Sequence, residues 1–257
     1  MSSTEASAPS APRLRVRRAT RDDAGAIAKV HFEAFGPGVM NRLMHPGGVS
    51  EDSRTRFAGS IFPPPGEQQP ADAFVVVAEL EEDGGGRDPV IVAFSKWKLV
   101  REQQPPGEWE KEGARDMTAE QLGEGADAVV YNEFMGGLHR MRARWIKGEP
   151  HLHLGILAAT PTRHRLGAGS ALLKWGCELA DREKTTAWLE SSPVGYSLYK
   201  KFGFEPVEVA DLKLTSLWGA VNSDGENWGG ANAVEVGGEL PEGSFRSVMM
   251  KRLPKTS

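Results

Sequence analysis

An α/β fold, built on a mixed sheet with helices on its faces, is what this sequence predicts, and three stretches predict it. The first is "RLRVRRAT" followed by "TRDDAGAIAKVHFEAF", a strand-like alternation that gives way to helical spacing. The second is the pair of β-rich runs "AFVVVAELE" and "PVIVAFSKWKLV", separated by the glycine-rich "EDGGGRD". The third is the segment from His151 onward, where strand-like and helix-like runs alternate closely.

In order along the chain, Arg13 to Thr20 reads as a first strand, and Thr20 opens a capped helix. Residues 40–70 are rich in Gly, Pro and polar side chains, with a helix expected around Asp52 to Ile61, and they cover one face. Ala73 to Glu81 and Pro89 to Val100 form an antiparallel hairpin. Arg101 to Gly125 is polar and carries a Pro-Pro, which predicts a mobile insertion, the region 101–130 standing outside the core. Tyr131 to Lys147 has helical spacing that Gly136 and Gly137 are expected to interrupt.

Then come a strand, "HLHLGILAAT", and a loop into a helix, "RLGAGSALLKWGCELADREK". The strand "TAWLESS", the helix "PVGYSLYKKFGF" with its glycine stop, and the strand "EPVEVADLKL" follow. Residues 216–242 are glycine-rich and irregular, and "SFRSVMMKR" supplies a last strand. The organisation expected is one domain over 13–257, preceded by a disordered lead-in over 1–12.

Composition narrows the function. A net charge of -4 gives no global attraction to nucleic acid or to anionic membranes, so small-molecule partners are expected. No apolar run approaches the roughly 18 residues needed to span a bilayer. "MSSTEASAPSAP" lacks the basic start and apolar stretch of a secretory signal, so a soluble, cytoplasmic protein is expected. The lone Cys177 lies in a helix-like apolar stretch and reads as a buried thiol; no metal-ligand spacing is present.

The stretch "TPTRHRLGAGSALLKW" carries the chemistry. Its glycines follow a strand and open a helix, where unsatisfied backbone N–H groups offer an anion site. Gly167 and Gly169 let the backbone come close to a phosphate, and Arg163 and Arg165 add positive charge. A Walker loop would need a Lys after its last glycine, and a dinucleotide fingerprint a third glycine; Ala171 and Leu172 stand there instead.

Together, "LHLGILAATPTRHRLGAGSALLKWGCELAD" and "WLESSPVGYSLYKKFGF" resemble the signature core of the GNAT superfamily of acyl-CoA-dependent N-acetyltransferases. The matching positions are Leu157, Ala159, Pro161, His164, Gly167 and Gly169, then Leu198, Tyr199, Gly203 and Phe204. The close match spans roughly Leu152 to Pro206. His164 departs from the family's usual Gln or Arg, which implies an altered contact there.

The resemblance implies a mostly antiparallel sheet, splayed where acyl-CoA enters. It implies that the pyrophosphate of acetyl-CoA lies on the amides of His164, Arg165, Leu166, Gly167, Ala168, Gly169 and Ser170. The pantetheine arm would pair with the backbone of Leu157, Ala158 and Ala159 at a bulge, with Ser192 making a further contact. Tyr199 takes the position of the acid that protonates the thiolate, the competing account being an aromatic packed under the Gly203 turn.

His153 falls where some members carry a catalytic glutamate. It is expected to share a strand face with Gly155, Leu157 and Ala159, and an imidazole titrates near neutrality. A core histidine is the competing account. Glu190 and Glu133 are reserve bases, and Trp97, Trp145 and Trp188 read as core or pocket walls.

The function implied is direct transfer of an acetyl group from acetyl-CoA to a small-molecule amine, with no metal and with a homodimer compatible. Alternatives are an acyl-CoA-binding regulatory module without turnover, and acetylation of a peptide amine or a hydroxyl. The acceptor pocket would come from the first helix and from the segments 40–70, 101–147 and 216–242.

Overall fold

The computed structural model describes residues 13–81, 89–111, 116–163, 166–223 and 225–255. The expected lead-in over 1–12 and the turn over 82–88 lie outside the described residues. One seven-stranded sheet runs through the chain in the order β1-β2-β3-β4-β5-β7-β6. Its strands are β1 (Arg13–Arg18), β2 (Ala73–Glu81), β3 (Val90–Val100), β4 (His151–Ala159), β5 (Thr186–Ser191), β6 (Glu205–Leu212) and β7 (Phe245–Arg252). Only β4 and β5 pair in parallel; every other neighbour is antiparallel.

Each predicted strand and helix is present. Thr20 donates its backbone N–H to the Asp23 carboxylate at 2.7 Å, which starts the turn leading into α1 (Ala24–Phe35). Helices α2 (Val39–Met44) and α3 (Glu51–Ser60) occupy the first polar segment, with the Ser50 hydroxyl capping α3. The apolar sequence of β2 is buried from Phe74 to Leu80 because helices cover the sheet on both sides.

Two expectations change in the folded chain. The segment expected to be a mobile insertion holds two short helices, α4 (Pro106–Trp109) and α5 (Ala119–Leu122), and is tied to its surroundings. Gln104 N–H donates to the Gly148 carbonyl at 2.9 Å, and Asn132 brackets the backbone of Met117 from both sides. The helix expected to break at Gly136 and Gly137 instead runs through them as α6 (Ala128–Ile146). Two interior glycines cost about 1 kcal/mol each, and the Asp127 cap with the burial of Val130, Met141 and Ile146 outweighs that.

The topology was not specified by the sequence. β7 inserts between β5 and β6, so the final strand completes the sheet rather than extending its edge. Before it, α9 (Leu214–Trp218) and α10 (Val234–Gly237) punctuate the irregular segment. Arg246 on β7 is fully buried; it forms a two-pronged pair with Asp211 and donates to the carbonyls of Asn232 and Gly238.

Between the sheet and α7 (Ala168–Arg182) lies the main core, which includes Trp97, Leu152, Leu154, Leu172, Leu173 and Phe204. The helix α8 (Tyr196–Lys201) closes this side, and Gly203 follows it at φ +85°, the conformation that ends the helix and favours glycine. Ile27 and Val30 of α1 pack on the other face against Val75, Val77, Phe94 and Ala158.

Cys177 is buried in the α7 core, as its helical setting predicts, and burial pushes its thiol up to about 11. Alkylation of native protein at neutral pH should run roughly a hundredfold slower than in denaturant, because the thiolate fraction sets the rate. Mass spectrometry after iodoacetamide treatment reads this directly; equal rates would show the thiol to be accessible and activated.

Candidate functional site

The site begins with an irregularity in β4. Along the β3 ladder Lys96 faces Ile156 but Trp97 faces Leu154, so Gly155 is an extra residue, a bulge. On the other edge, β4 pairs with β5 only from His151 to Leu154. From Gly155 to Ala159 that edge carries no ladder, and the two strands part. The bulge thus lies ahead of Leu157, Ala158 and Ala159, the positions to which the resemblance assigned it.

That single extra residue reverses the alternation of side chains. Leu152 and Leu154 share the α7 core with Leu157 and Ala159, while Ile156 and Ala158 pack toward α1. His153 therefore shares its face with Ile156 and Ala158, not with Leu157 and Ala159 as uninterrupted alternation would have it.

On that face His153 meets Glu190, which Arg142 also holds. Its Nε2 lies 2.9 Å from Oε2 of Glu190 on β5, and Oε1 of Glu190 accepts from Arg142 Nε of α6, also at 2.9 Å. The Glu190 side chain is 4% exposed. Burial pushes its carboxyl group upward, but the charges of His153 and Arg142 and the hydrogen bonds they donate outweigh this and hold it at about 2. Glu190 is thus ionised and can only accept, so Nε2 of His153 carries the proton of that hydrogen bond, and Nδ1 is the nitrogen that holds the lone pair whenever the ring is neutral. The ring edge bearing Nδ1 borders the bulge: a Cβ built on Gly155 would sit 4.0 Å from Nδ1 and 3.9 Å from Cε1.

Behind the ring is a cavity of about 30 Å³ lined by His153, His151, Lys98, Arg142 and His139. A space that size holds a water molecule among polar walls. Arg142 had no distinguishing mark in the sequence, one of three alternate arginines in α6; only the packing of that helix against β5 singles it out.

Tyr199 is buried on the opposite, α7 side of the sheet, its ring 6.1 Å from that of Phe204 and against Gly195. Burial raises its phenol well above the ordinary value of 10, so the hydroxyl stays protonated and able to donate. His153 and Tyr199 thus lie on opposite faces of the sheet. Ser192 follows the end of β5 beside this opening and is exposed.

Among the loop residues, Leu166 is exposed and Gly167 adopts φ +79° as the residue capping α7. Its conformation explains the glycine, since nothing lies within 4 Å of a Cβ placed there. Gly169 has no such need; a Cβ would make ordinary contact with Leu198 at 3.7 Å. Ala171 N–H is bonded to the Gly167 carbonyl, which leaves the amides of Ala168, Gly169 and Ser170 as the open first turn of a 15-residue helix. His164 and Arg165 lie outside the described residues.

The remaining candidates separate from this cluster. Glu133 is exposed on α6 and pairs with Arg140 at 3.4 Å. Trp97 and Trp188 are buried, whereas Trp145 is 40% exposed, donates to Glu208 at 2.7 Å and lines an open surface pocket with Arg144, Lys147 and Glu149.

No protein-family model matches this sequence, and no curated protein does. Solved structures match over nearly the whole chain. A mosquito arylalkylamine N-acetyltransferase, like 5b, aligns with a TM-score of 0.55 at 16% identity, over 94% of this chain and 100% of that one. A structure from Corynebacterium glutamicum described as histone acetyltransferase HPA2 and related acetyltransferase gives 0.51 at 21% identity, over 95% and 98%. The chain has the GNAT acetyltransferase fold.

The GNAT fold does not by itself name a reaction. The C-terminal condensation domain of Ebony, in complex with beta-alanyl-dopamine, aligns with a TM-score of 0.54 at 12% identity, over 95% of this chain and 100% of that one. Within the GNAT fold the chemistry has to be argued from the side chains at the opening. Among the described residues, no helix is long and apolar enough to cross a membrane.

Proposed function

We propose that this chain transfers an acetyl group from acetyl-CoA to the amine of a small molecule, directly and within a ternary complex. The observation that carries the reading is the His153–Glu190 pair at 2.9 Å beside the bulge where β4 leaves β5. A histidine serving only the core would not need a buried, ionised carboxylate beside it.

In this reading the first-turn amides of α7, with Leu166 and Gly167, receive the pyrophosphate. The unpaired edge of β4 at Leu157, Ala158 and Ala159 offers its backbone to the pantetheine arm, and a bulge N–H polarises the thioester carbonyl. As the amine nitrogen bonds to the carbonyl carbon it sheds a proton to His153 Nδ1. Glu190 holds the imidazole in the tautomer that can accept it and steadies the cation that forms. The carbon–sulfur bond then breaks, and the Tyr199 hydroxyl gives its proton to the sulfur.

Acetyl-CoA-dependent thiol release over a panel of amines, amino acids, peptides and alcohols tests this, run beside Tyr199→Phe. Turnover with an amine, slowed about a hundredfold or more in the variant, is expected. Release with no acceptor class, despite bound acetyl-CoA, would overturn the enzymatic reading.

The loop is tested separately by calorimetry. Gly167→Glu should weaken acetyl-CoA by more than about tenfold, since a carboxylate would face the pyrophosphate. Gly167→Ala carries the same positive-φ strain without the charge and should bind more tightly than the Glu variant. Equal affinity in the two would place the phosphates elsewhere.

A further inference from the structure

The face that carries His153 also carries an unneutralised lysine. On β3, Ser95 and Trp97 point toward α7, where the indole N–H donates to the Ser95 hydroxyl, and Trp97 packs in that core. Phe94 lies in the opposite, α1-side core, and Lys98 lines the His153 cavity. Lys96, between them in the alternation, therefore stands on the same face as His153.

Its register places it closely. Lys98 is directly opposite His153, and Lys96 is opposite Ile156, the first residue past the bulge. Diagonal neighbours of this kind lie about 7–8 Å apart, well within reach of a lysine side chain.

The surroundings of Lys96 are apolar. Its cross-strand partners are Val75 and Ile156, both members of the α1-side core. The residue is only partly exposed, and burial pulls its ammonium below the ordinary lysine range, with no carboxylate among the described residues pairing with it. Arg142 on the facing helix has Glu190; Lys96 has no counterpart. An apolar side chain would suit the position better unless something anionic arrives there.

Resting on the acetyl-transfer reading above, we infer that Lys96 anchors a carboxylate of the acceptor, so that the acceptor class is amino acids rather than simple amines or polyamines. The amine lies at His153 Nδ1, and the carboxylate reaches along β3 to the ammonium. A single lysine matches a single negative charge; it lacks the forked donors that a phosphate dianion recruits. A second cationic group on the acceptor would meet Lys96 and Arg142 unfavourably.

Calorimetry on the full chain tests this without depending on turnover. The probes are N-acetylglycine, N-acetylphenylalanine and the uncharged N-ethylacetamide, titrated into the CoA-loaded wild type, Lys96→Met and Lys96→Arg. Wild type should bind an acetylated amino acid more tightly than the neutral amide. Lys96→Met should lose about ten- to hundredfold for the carboxylate probes alone, and Lys96→Arg should restore most of it.

Wild type showing no preference for a carboxylate, or Lys96→Met weakening all three probes equally, overturns the inference. The thiol-release panel fails or succeeds independently. Turnover of neutral amines at the expense of amino acids would leave the enzyme standing and remove this acceptor class. Lys96→Met is expected to fold, because it replaces a poorly solvated cation with an apolar chain of similar length.

Discussion

Replacing His153 by alanine is expected to lower kcat by about two to four orders of magnitude and to abolish the acidic limb of the kcat/KM profile. The expectation follows from the position of Nδ1 beside the bulge, once Nε2 is engaged by Glu190. Circular dichroism and thermal unfolding would accompany the kinetics, since the residue is 8% exposed and its loss leaves a small cavity. A variant that folds and keeps an unaltered pH dependence would move the base to another group.

Glu190→Gln separates positioning from proton transfer. Glutamine preserves shape but no longer enforces the tautomer, so kcat should fall while KM for acetyl-CoA holds, and the profile should shift. Stability gives a second readout with a definite sign. The Glu190 carboxyl is lowered from 4.5 to about 2 in the folded chain. Its contribution is therefore complete above about pH 4.5 and is lost as pH falls toward 2. Wild type should lose stability across that window by more than Glu190→Gln does, and parallel acid titrations of the two would contradict the pairing.

A larger effect on stability is expected at Gly176. A Cβ at this position of α7 would overlap the indole of Trp97, which is 1% exposed and held by its bond to Ser95 at 2.9 Å. The ring cannot yield without breaking that bond and opening the main core. Gly176→Ala should therefore cost about 3 kcal/mol, although alanine is the better helix former. Gly25→Ala in α1 is the control: nothing lies within 4 Å of the added carbon, so stability should rise by up to about 1 kcal/mol. The urea midpoints of the two variants decide it, and a neutral Gly176→Ala would mean that α7 sits further from the sheet.

Much of the frame was legible because local chemistry and global fold agree. The alternation in "RLRVRR", the β-rich runs of the hairpin and the capping signal at Thr20 each specify their element without help from distant residues. Gly167 was legible for a similar reason, since a positive φ at the entrance to a helix is a local demand. Where local preference and packing disagree, packing wins. Gly136 and Gly137 weaken α6 locally, yet the helix continues because its buried side chains are fixed by the sheet.

The candidate site was only half visible. His153 and Tyr199 could be singled out by position, but their relation could not, because it depends on an inserted residue whose only trace is one glycine in an apolar strand. Reading β4 as an unbroken alternation put His153 on the wrong face. Glu190 and Arg142 lie 48 residues apart, and nothing in either neighbourhood marks the pairing.

The sequence by itself determined the order of the seven strands, the helices α1, α3, α6, α7 and α8, and the glycine that turns the loop into α7, because these depend on side-chain period and backbone conformation over a few residues. Tertiary structure alone decided that β7 enters between β5 and β6, that Gly155 bulges and sends His153 toward Glu190 and Arg142, and that no carboxylate among the described residues pairs with Lys96. The register of one strand against its neighbours is a property of the packed sheet, and a shift of one residue reverses every side chain beyond it.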